Sequence, residues 1–425
     1  MRKLGLILLT IAAIGSLAYA QNIDFNIMGT GARARGMGGA FIGVADDATA
    51  VGWNPAGIAQ LEKPEASAVA LFNIKSITNE GTFTDDPTWN YKETESVKHF
   101  APAFGSLILP FKAAEKNVVF AVAYQRLIDF GYVHTKDTTV LGITYTSIDK
   151  MTGGVDAITP AAAIQITPQI MIGAAGNIIV RGGEYTEETT SSDDSYDYNW
   201  TQNYSYSGFN FNTGILATFN KFNLGASFRF PFNLKEESEW EESVTGFTGS
   251  SGDGPVYEYN FPLMMGFGVA LKPTDKLTLA ADFETRKYSN TNGEWEYMGM
   301  TGTDTMDWQD CNQFRVGLEY IMSGTNAVFP IRLGFRTDPK TTPSVVNDWD
   351  ASFNLVSSDT TTLNGKVYTA GFGLVMGKLM LDFAYEMSTG DIYYKENNWG
   401  IDNTSWTWKD SEVSHNIMAS AIIHF

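Results

Sequence analysis

One cysteine, Cys311, occurs in 425 residues, so no disulfide can form within the chain. Small secreted domains often depend on such staples, but roughly 400 residues bury enough apolar surface without them. The four histidines, His99, His134, His415 and His424, show no metal-ligand spacing, so no metal and no other cofactor is read. Basic residues are scarce. Lys and Arg number 29 against 48 Asp and Glu, and the net charge of −19 excludes the cationic face that nucleic acid needs. Beyond the N-terminus there is no apolar run long enough to cross a bilayer as a helix. The glycines near residue 36 lack the spacing and leading strand of a nucleotide-binding loop.

Residues 1–20 read as a secretory signal. Arg2 and Lys3 precede an apolar run from Leu4 to Ile14, and Ala18-Tyr19-Ala20 forms a cleavage site before Gln21. No cysteine stands immediately after that site, which excludes a lipoprotein signal.

From about residue 64 the chain reads as strands, because apolar side chains recur with period two. Phe314, Val316, Leu318 and Tyr320 alternate with Gln313, Arg315, Gly317 and Glu319. Leu379, Leu381, Phe383 and Tyr385 alternate with Met380, Asp382, Ala384 and Glu386. In the final segment Ile417, Ala419, Ala421, Ile423 and Phe425 share one face, and the chain stops on that aromatic. Runs of this kind cover 64–74, 98–109, 117–129, 155–167, 170–182, 208–219, 221–232, 260–272, 275–288, 311–322, 328–336, 366–376, 378–388 and 413–425. Their even number suits a closed antiparallel barrel, which leaves no unpaired edge and is one of two backbone solutions in lipid. The fold class expected is all-β: a 14-stranded antiparallel transmembrane β-barrel.

Tight connections such as Pro168-Gln169, Asn220, Pro273-Thr274-Asp275 and Gly377 alternate with long ones at about 75–97, 130–154, 183–207, 233–259, 289–310, 337–365 and 389–412. Short turns at one end and long loops at the other are the pattern of outer-membrane barrels. Charge sorts the same way. The seven long loops together carry −26 of a total of −19, leaving the remainder at +7. They also hold nine of the ten tryptophans, all but Trp53. Those rings read first as an interfacial girdle and packed loop tips, and second as an apolar capture surface.

Residues 21–63 do not alternate, and they are rich in Gly and Ala. Asp46-Asp47-Ala48-Thr49-Ala50 reads as a helix start with an acidic N-cap, and Asn54-Pro55-Ala56-Gly57 as a second, with Asn54 capping and Pro55 at N1. A barrel of fourteen strands is too wide for its own side chains to fill. A compact small-residue segment meets that need as a hatch. The domains read as 1–20 signal, 21–63 hatch and 64–425 barrel.

At these residues the sequence resembles a known family. Gly36-Met37-Gly38-Gly39-Ala40-Phe41, then Ala45-Asp46-Asp47-Ala48-Thr49, then Trp53-Asn54-Pro55-Ala56-Gly57 is similar to the N-terminal hatch of the outer-membrane fatty-acid and hydrophobic-compound transporters of the FadL/TodX type (OMPP1-like). Phe261-Pro262, Lys272-Pro273-Thr274-Asp275 and the terminal Phe425 extend the resemblance thinly over the barrel. The resemblance implies an outer-membrane location and a monomer. It implies a hydrophobic ligand that enters from outside, passes a pocket beside the hatch, and leaves sideways through a kinked strand into membrane lipid. By position that strand is 117–129, which contains neither Gly nor Pro. Phe425 is the expected signal for the barrel-assembly machinery. A related family of secretion-accessory barrels (PorV-like) shares the Asn-Pro-Ala core, so protein secretion or surface anchoring is the alternative function.

The charges expected to face the lumen are Arg229, Asp282, Glu284, Arg286, Arg315, Glu319, Arg332, Arg336, Asp382 and Glu386. Inward Arg and Asp or Glu on neighbouring strands can pair across the ladder and hold the hatch. In the other reading Arg229, Arg315, Arg332 or Arg336 takes a ligand carboxylate, for which a guanidinium fork is suited. An enzyme would need a nucleophile beside a histidine at the outer rim. Only His134 stands there, near Asp129 and Asp137, and the chain reads as a non-enzyme.

Overall fold

A computed structural model of the chain describes residues 27–83, 90–140, 142–306, 308–350, 352, 354–361, 363–399 and 404–425. The expected signal, 1–20, lies outside the described residues. Fourteen strands form a ring: β1 Glu65–Phe83, β2 Tyr91–Ala113, β3 Lys116–Asp129, β4 Ile143–Gln165, β5 Ile170–Ile179, β6 Asp197–Thr218, β7 Phe222–Arg229, β8 Met264–Thr274, β9 Leu277–Arg286, β10 Cys311–Ser323, β11 Val328–Pro339, β12 Asn364–Met376, β13 Leu379–Trp399 and β14 Thr404–His424. Each pairs antiparallel with the next. β14 closes on β1, from Glu65↔His424 to Phe83↔Trp406. The last backbone N–H, that of Phe425, donates to the Pro64 carbonyl at 3.0 Å, tying the end of the chain to the start of the wall.

The fourteen alternating runs in the sequence are these fourteen strands, and the wall is inside out relative to a soluble protein. Phe314, Leu333, Phe372, Leu224 and Ile423 are exposed on the outer face, while Arg315, Arg332, Arg336 and Glu386 are buried on the inner one. Water is absent on the outer face of such a wall, so apolar groups go there and polar groups go to the lumen. No described helix is long and apolar enough to cross a membrane.

The long connections are not irregular loops. β1, β2, β13 and β14 run 19 to 23 residues, far beyond the apolar belt. Shorter strands such as Tyr132–Val140, Gly183–Ser191 and Phe232–Val244 continue the sheet beyond the other side of the ring. Expected loop segments such as 75–83, 130–154 and 389–399 are therefore mostly hairpins. Sequence alternation failed there because both faces of an extension are wet, so Thr, Glu, Tyr and Asn occur on either side. Several of the loop tryptophans belong to this sheet: Trp200 and Trp240 stack across adjacent strands, ring centroids 4.9 Å apart.

Candidate functional site: the plugged bore and the gap in its wall

The described part of the N-terminal segment lies inside the ring. Its first helix, α1 Ala32–Gly36, carries two arginines, Arg33 and Arg35. A turn with positive φ at Gly38 and Gly39 follows. The second helix, α2 Ala50–Trp53, has Thr49 at its N-cap position with no side-chain cap bond, where the sequence suggested an aspartate cap. Asp47 instead accepts from the Thr49 backbone N–H at 2.9 Å, the local turn such residues form. The Asn-Pro-Ala segment opens a 3-10 helix, Pro55–Gln60, with Asn54 accepting from the Ala56 N–H and Pro55 at the first position.

Small residues let hatch and wall meet backbone to backbone. A Cβ on Gly334 would stand 2.2 Å from the Gly38 nitrogen, and one on Gly317 would stand 2.3 Å from the Met37 carbonyl. Gly173 faces Pro55, and Gly225 faces Ile42, in the same way. Asn54 is fully buried, and its amide donates to the Ile42 carbonyl at 2.9 Å and to Ile215 of β6 at 3.1 Å. Ala56 and Gly57 are buried with it, and a Cβ on Gly57 would strike the Ala45 carbonyl.

Two carboxylates join the hatch to the wall. Glu319 of β10 takes a bidentate contact from Arg33, both bonds 3.0 Å, and a 2.6 Å bond from Arg332 of β11. Arg33 also pairs with Asp46 and, at 3.7 Å, with Asp47. Glu386 of β13 holds Arg35 at 2.7 Å and Arg336 at 2.5 Å. Arg332 reaches on to Asp382, 2.6 Å away on β13, across the intervening β12. It can do so because β12 has no side chain there: a Cβ on Gly373 would stand 2.4 Å from the Asp382 carboxylate. Asp282 plays a different part. Its Oδ2 accepts the backbone N–H groups of Phe41 and Ile42 at 2.7 and 2.8 Å. Glu284 lies between Arg286, 2.7 Å, and Arg315, 2.5 Å, and the Arg315 guanidinium lies 5.3 Å from the Trp53 ring centroid.

Thus the lumen carboxylates and arginines singled out in the sequence all sit on the inner face, and most are engaged with one another. The sequence reading missed Arg33 and Arg35, which supply the hatch side of this frame. Two arginines in an otherwise small-residue segment, opposite a wall with inward acids, were the available signal. Arg229 stands apart. Its contacts are Asn212 at 3.2 Å and the Met264 sulfur at 3.9 Å, and among the described residues no carboxylate is in ion-pair contact with it. It lines a pocket against the hatch with Met28, Ile42, Trp53, Met264, Met265 and the carboxylate Glu284.

The ladder between β2 and β3 is short. It runs from Ala113↔Lys116 only to Phe104↔Gln125, although both strands continue. Both strands break register at this point. β1–β2 pairing skips Ala103, and β3–β4 pairing skips Leu127. The bulge in β3 needs neither Gly nor Pro. A bulge sends the extra residue out of the ladder and twists the strand. A second cavity, about 250 Å³, lies behind this gap, and its lining is mixed: Leu71, Leu127, Ile128 and Met418 stand beside charged residues such as Arg126, Asp129, Lys340 and Glu412.

The rim histidine does not build a hydrolytic site with the aspartates near it in sequence. His134 contacts Glu95. Asp129 meets His99 and Arg126, and Asp137 accepts from Thr146.

Comparison with solved structures finds the same fold over almost the whole chain. A Pseudomonas aeruginosa FadL homologue aligns with a TM-score of 0.65 at 13% identity, over 95% of this chain and all of that one. The Pseudomonas putida toluene transporter TodX aligns at 0.57 and 12% identity, over 94% of this chain and 99% of the other. The Ralstonia pickettii toluene transporter TbuX aligns at 0.53 and 13%, over 94% and 100%. At these identities the likeness is one of fold. No curated protein matches the chain. The family description "Outer membrane protein transport protein (OMPP1/FadL/TodX)" matches residues 11–423, nearly the entire sequence. The chain therefore belongs to the FadL/TodX family of outer-membrane transport proteins for hydrophobic compounds.

Proposed function

We propose that the protein carries a small amphiphile, a long-chain fatty acid being the type case, from the outer end of the barrel to the pocket beside the hatch, and releases it sideways into the membrane. The observation that carries this reading is the gap between β2 and β3, backed by a cavity that sets an apolar patch, Leu71, Leu127, Ile128 and Met418, beside charged side chains, as an amphiphile would need. A bore filled by residues 27–63 offers no straight path, so a lateral exit suits an apolar cargo that is more stable in lipid than in water. The hatch is the moving part in this reading. Arg229 supports the acidic headgroup, because it lines the pocket outside any ion pair among the described residues, while Glu284, which lines the pocket with it, is held by Arg286 and Arg315.

Uptake in cells lacking their own transporter tests this. Wild-type protein should restore uptake of a long-chain fatty acid. Arg229→Gln should lower that uptake several-fold and leave uptake of a neutral aromatic hydrocarbon unchanged. Inserted wild-type barrel that moves no hydrophobic compound would favour the secretion-accessory function instead.

A further inference from the structure

Above Phe104 and Gln125 the edges of β2 and β3 no longer share a ladder, yet side chains bridge them. His99 of β2 lies 3.1 Å from Asp129, the last residue of β3. Glu95, four residues further along β2, contacts His134 of the strand Tyr132–Val140 that continues from β3. Gly131 leaves room for the first bridge, since a Cβ there would stand 2.2 Å from the His99 ring. Two of the four histidines in the protein thus cross one seam, directly outward of the gap.

We propose that these two histidine–carboxylate contacts are a latch that sets the width of the outer lip of the gap, and so controls release through it. Covalent continuity does not hold this lip, and backbone hydrogen bonds between β2 and β3 stop below it. The charges around His134 favour its protonated form. His134 faces Glu95 and Glu93 from β2 and Asp149 from β4, its direct register partner. The hydrogen bond to Glu95 is the largest cause holding His134 above its ordinary value, and burial opposes it. His99 faces Asp129, which also holds Arg126 at 2.9 Å, and it pairs in register with Asn73 of β1. A histidine raised by its partner contributes below its ordinary value and loses that contribution as pH rises through the raised one. Through the His134–Glu95 contact the latch therefore tightens in mild acid and loosens in alkali.

The latch rests on reading the gap as the exit, but its geometry can be measured without any cargo. Nitroxide labels at Lys98 and Val133, both exposed, report the width of the lip by pulsed electron resonance in lipid nanodiscs, with Cys311→Ser as background. Wild-type protein should give a narrow distance peak at about pH 6 that is lost at about pH 9. His99→Asn with His134→Gln should lose the narrow peak at both values. Glu95→Gln alone should remove most of the pH response, which covers a double variant that does not assemble. A wild-type distribution that is the same at both pH values, or unchanged by the substitutions, overturns the latch. If the lip widens in the double variant while fatty-acid uptake by cells stays at the wild-type rate, the latch stands as geometry but its control of release is refuted, and with it the exit route.

Discussion

Glu319 and Glu386 show how single residues join hatch and wall. Each carboxylate lies between one arginine from α1 and one from the wall, and each is almost wholly buried. Burying such charges costs several kcal/mol each, so the arrangement persists only while every member is matched. Glu319→Gln leaves Arg33 and Arg332 with one neutral acceptor between them. Breaking a buried pair costs about 3–5 kcal/mol. The barrel, held by fourteen ladders, should survive with its heat-modifiable mobility intact, while trypsin gains access to Arg33 and Arg35. An unchanged digestion pattern would show that these pairs are not what holds the hatch. The wall members of this frame were legible, because Arg332 and Glu319 sit at inward positions of alternating strands and are direct register partners. Arg315 and Arg336 are also opposite one another. Which acid each like-charged neighbour turns to, Glu284 or Glu386, depends on strands remote in sequence.

At the scale of elements, the hatch is seated by the absence of side chains. Gly334 and Gly317 are direct register partners; Gly334 meets Gly38 and Met37, and Gly317 meets Met37. Gly334→Ala places a methyl against backbone, which cannot rotate away as a side-chain tip can. The hatch must shift, and cells carrying this variant should admit a polar antibiotic faster than wild type. Equal sensitivity would mean that the seat tolerates displacement without opening a path. The outer extension behaves differently. On the strand Gly183–Ser191, burial pushes the Glu187 carboxyl up to about 7, with the Asp149 charge adding to the effect. Its folded value lies above its ordinary one, so its contribution is complete at low pH and is lost as pH rises through about 7. Glu187 pairs in register with Trp200. Tryptophan emission should shift to the red between about pH 5 and pH 9 as the sheet loosens, and Glu187→Gln should abolish most of that shift.

The molecule as a whole is two-ended. Six wall connections are tight, the longest four residues, and both termini of the wall lie with them; the other seven carry the acidic extensions. This asymmetry motivates the orientation in which the extensions face outward from the cell. Cysteine labelling of intact cells should reach Ser192→Cys but not Thr274→Cys, and the opposite result would invert the topology. An acidic surface of this size also keeps the extensions hydrated and apart from one another.

What the sequence determined by itself was the wall. Period-two alternation is a local property, and burying the polar face against a lumen needs no knowledge of partners, so all fourteen strands could be counted from it. The Gly- and Ala-rich segment around Asn54-Pro55-Ala56 could be recognised as a hatch for the same reason: it lacks any amphipathic period, yet must be buried. The tertiary structure alone decided three things. It placed Arg33 and Arg35 on Glu319 and Glu386, contacts between residues about 290 and 350 positions apart. It extended the strands beyond the apolar belt, where water on both faces erases the alternation. It opened the ladder at Phe104↔Gln125 by bulges at Ala103 and Leu127. The bulge in β2 adjoins Pro102, but the one in β3, without glycine or proline, leaves no local mark, because it is a mismatch of count between two strands and belongs to neither.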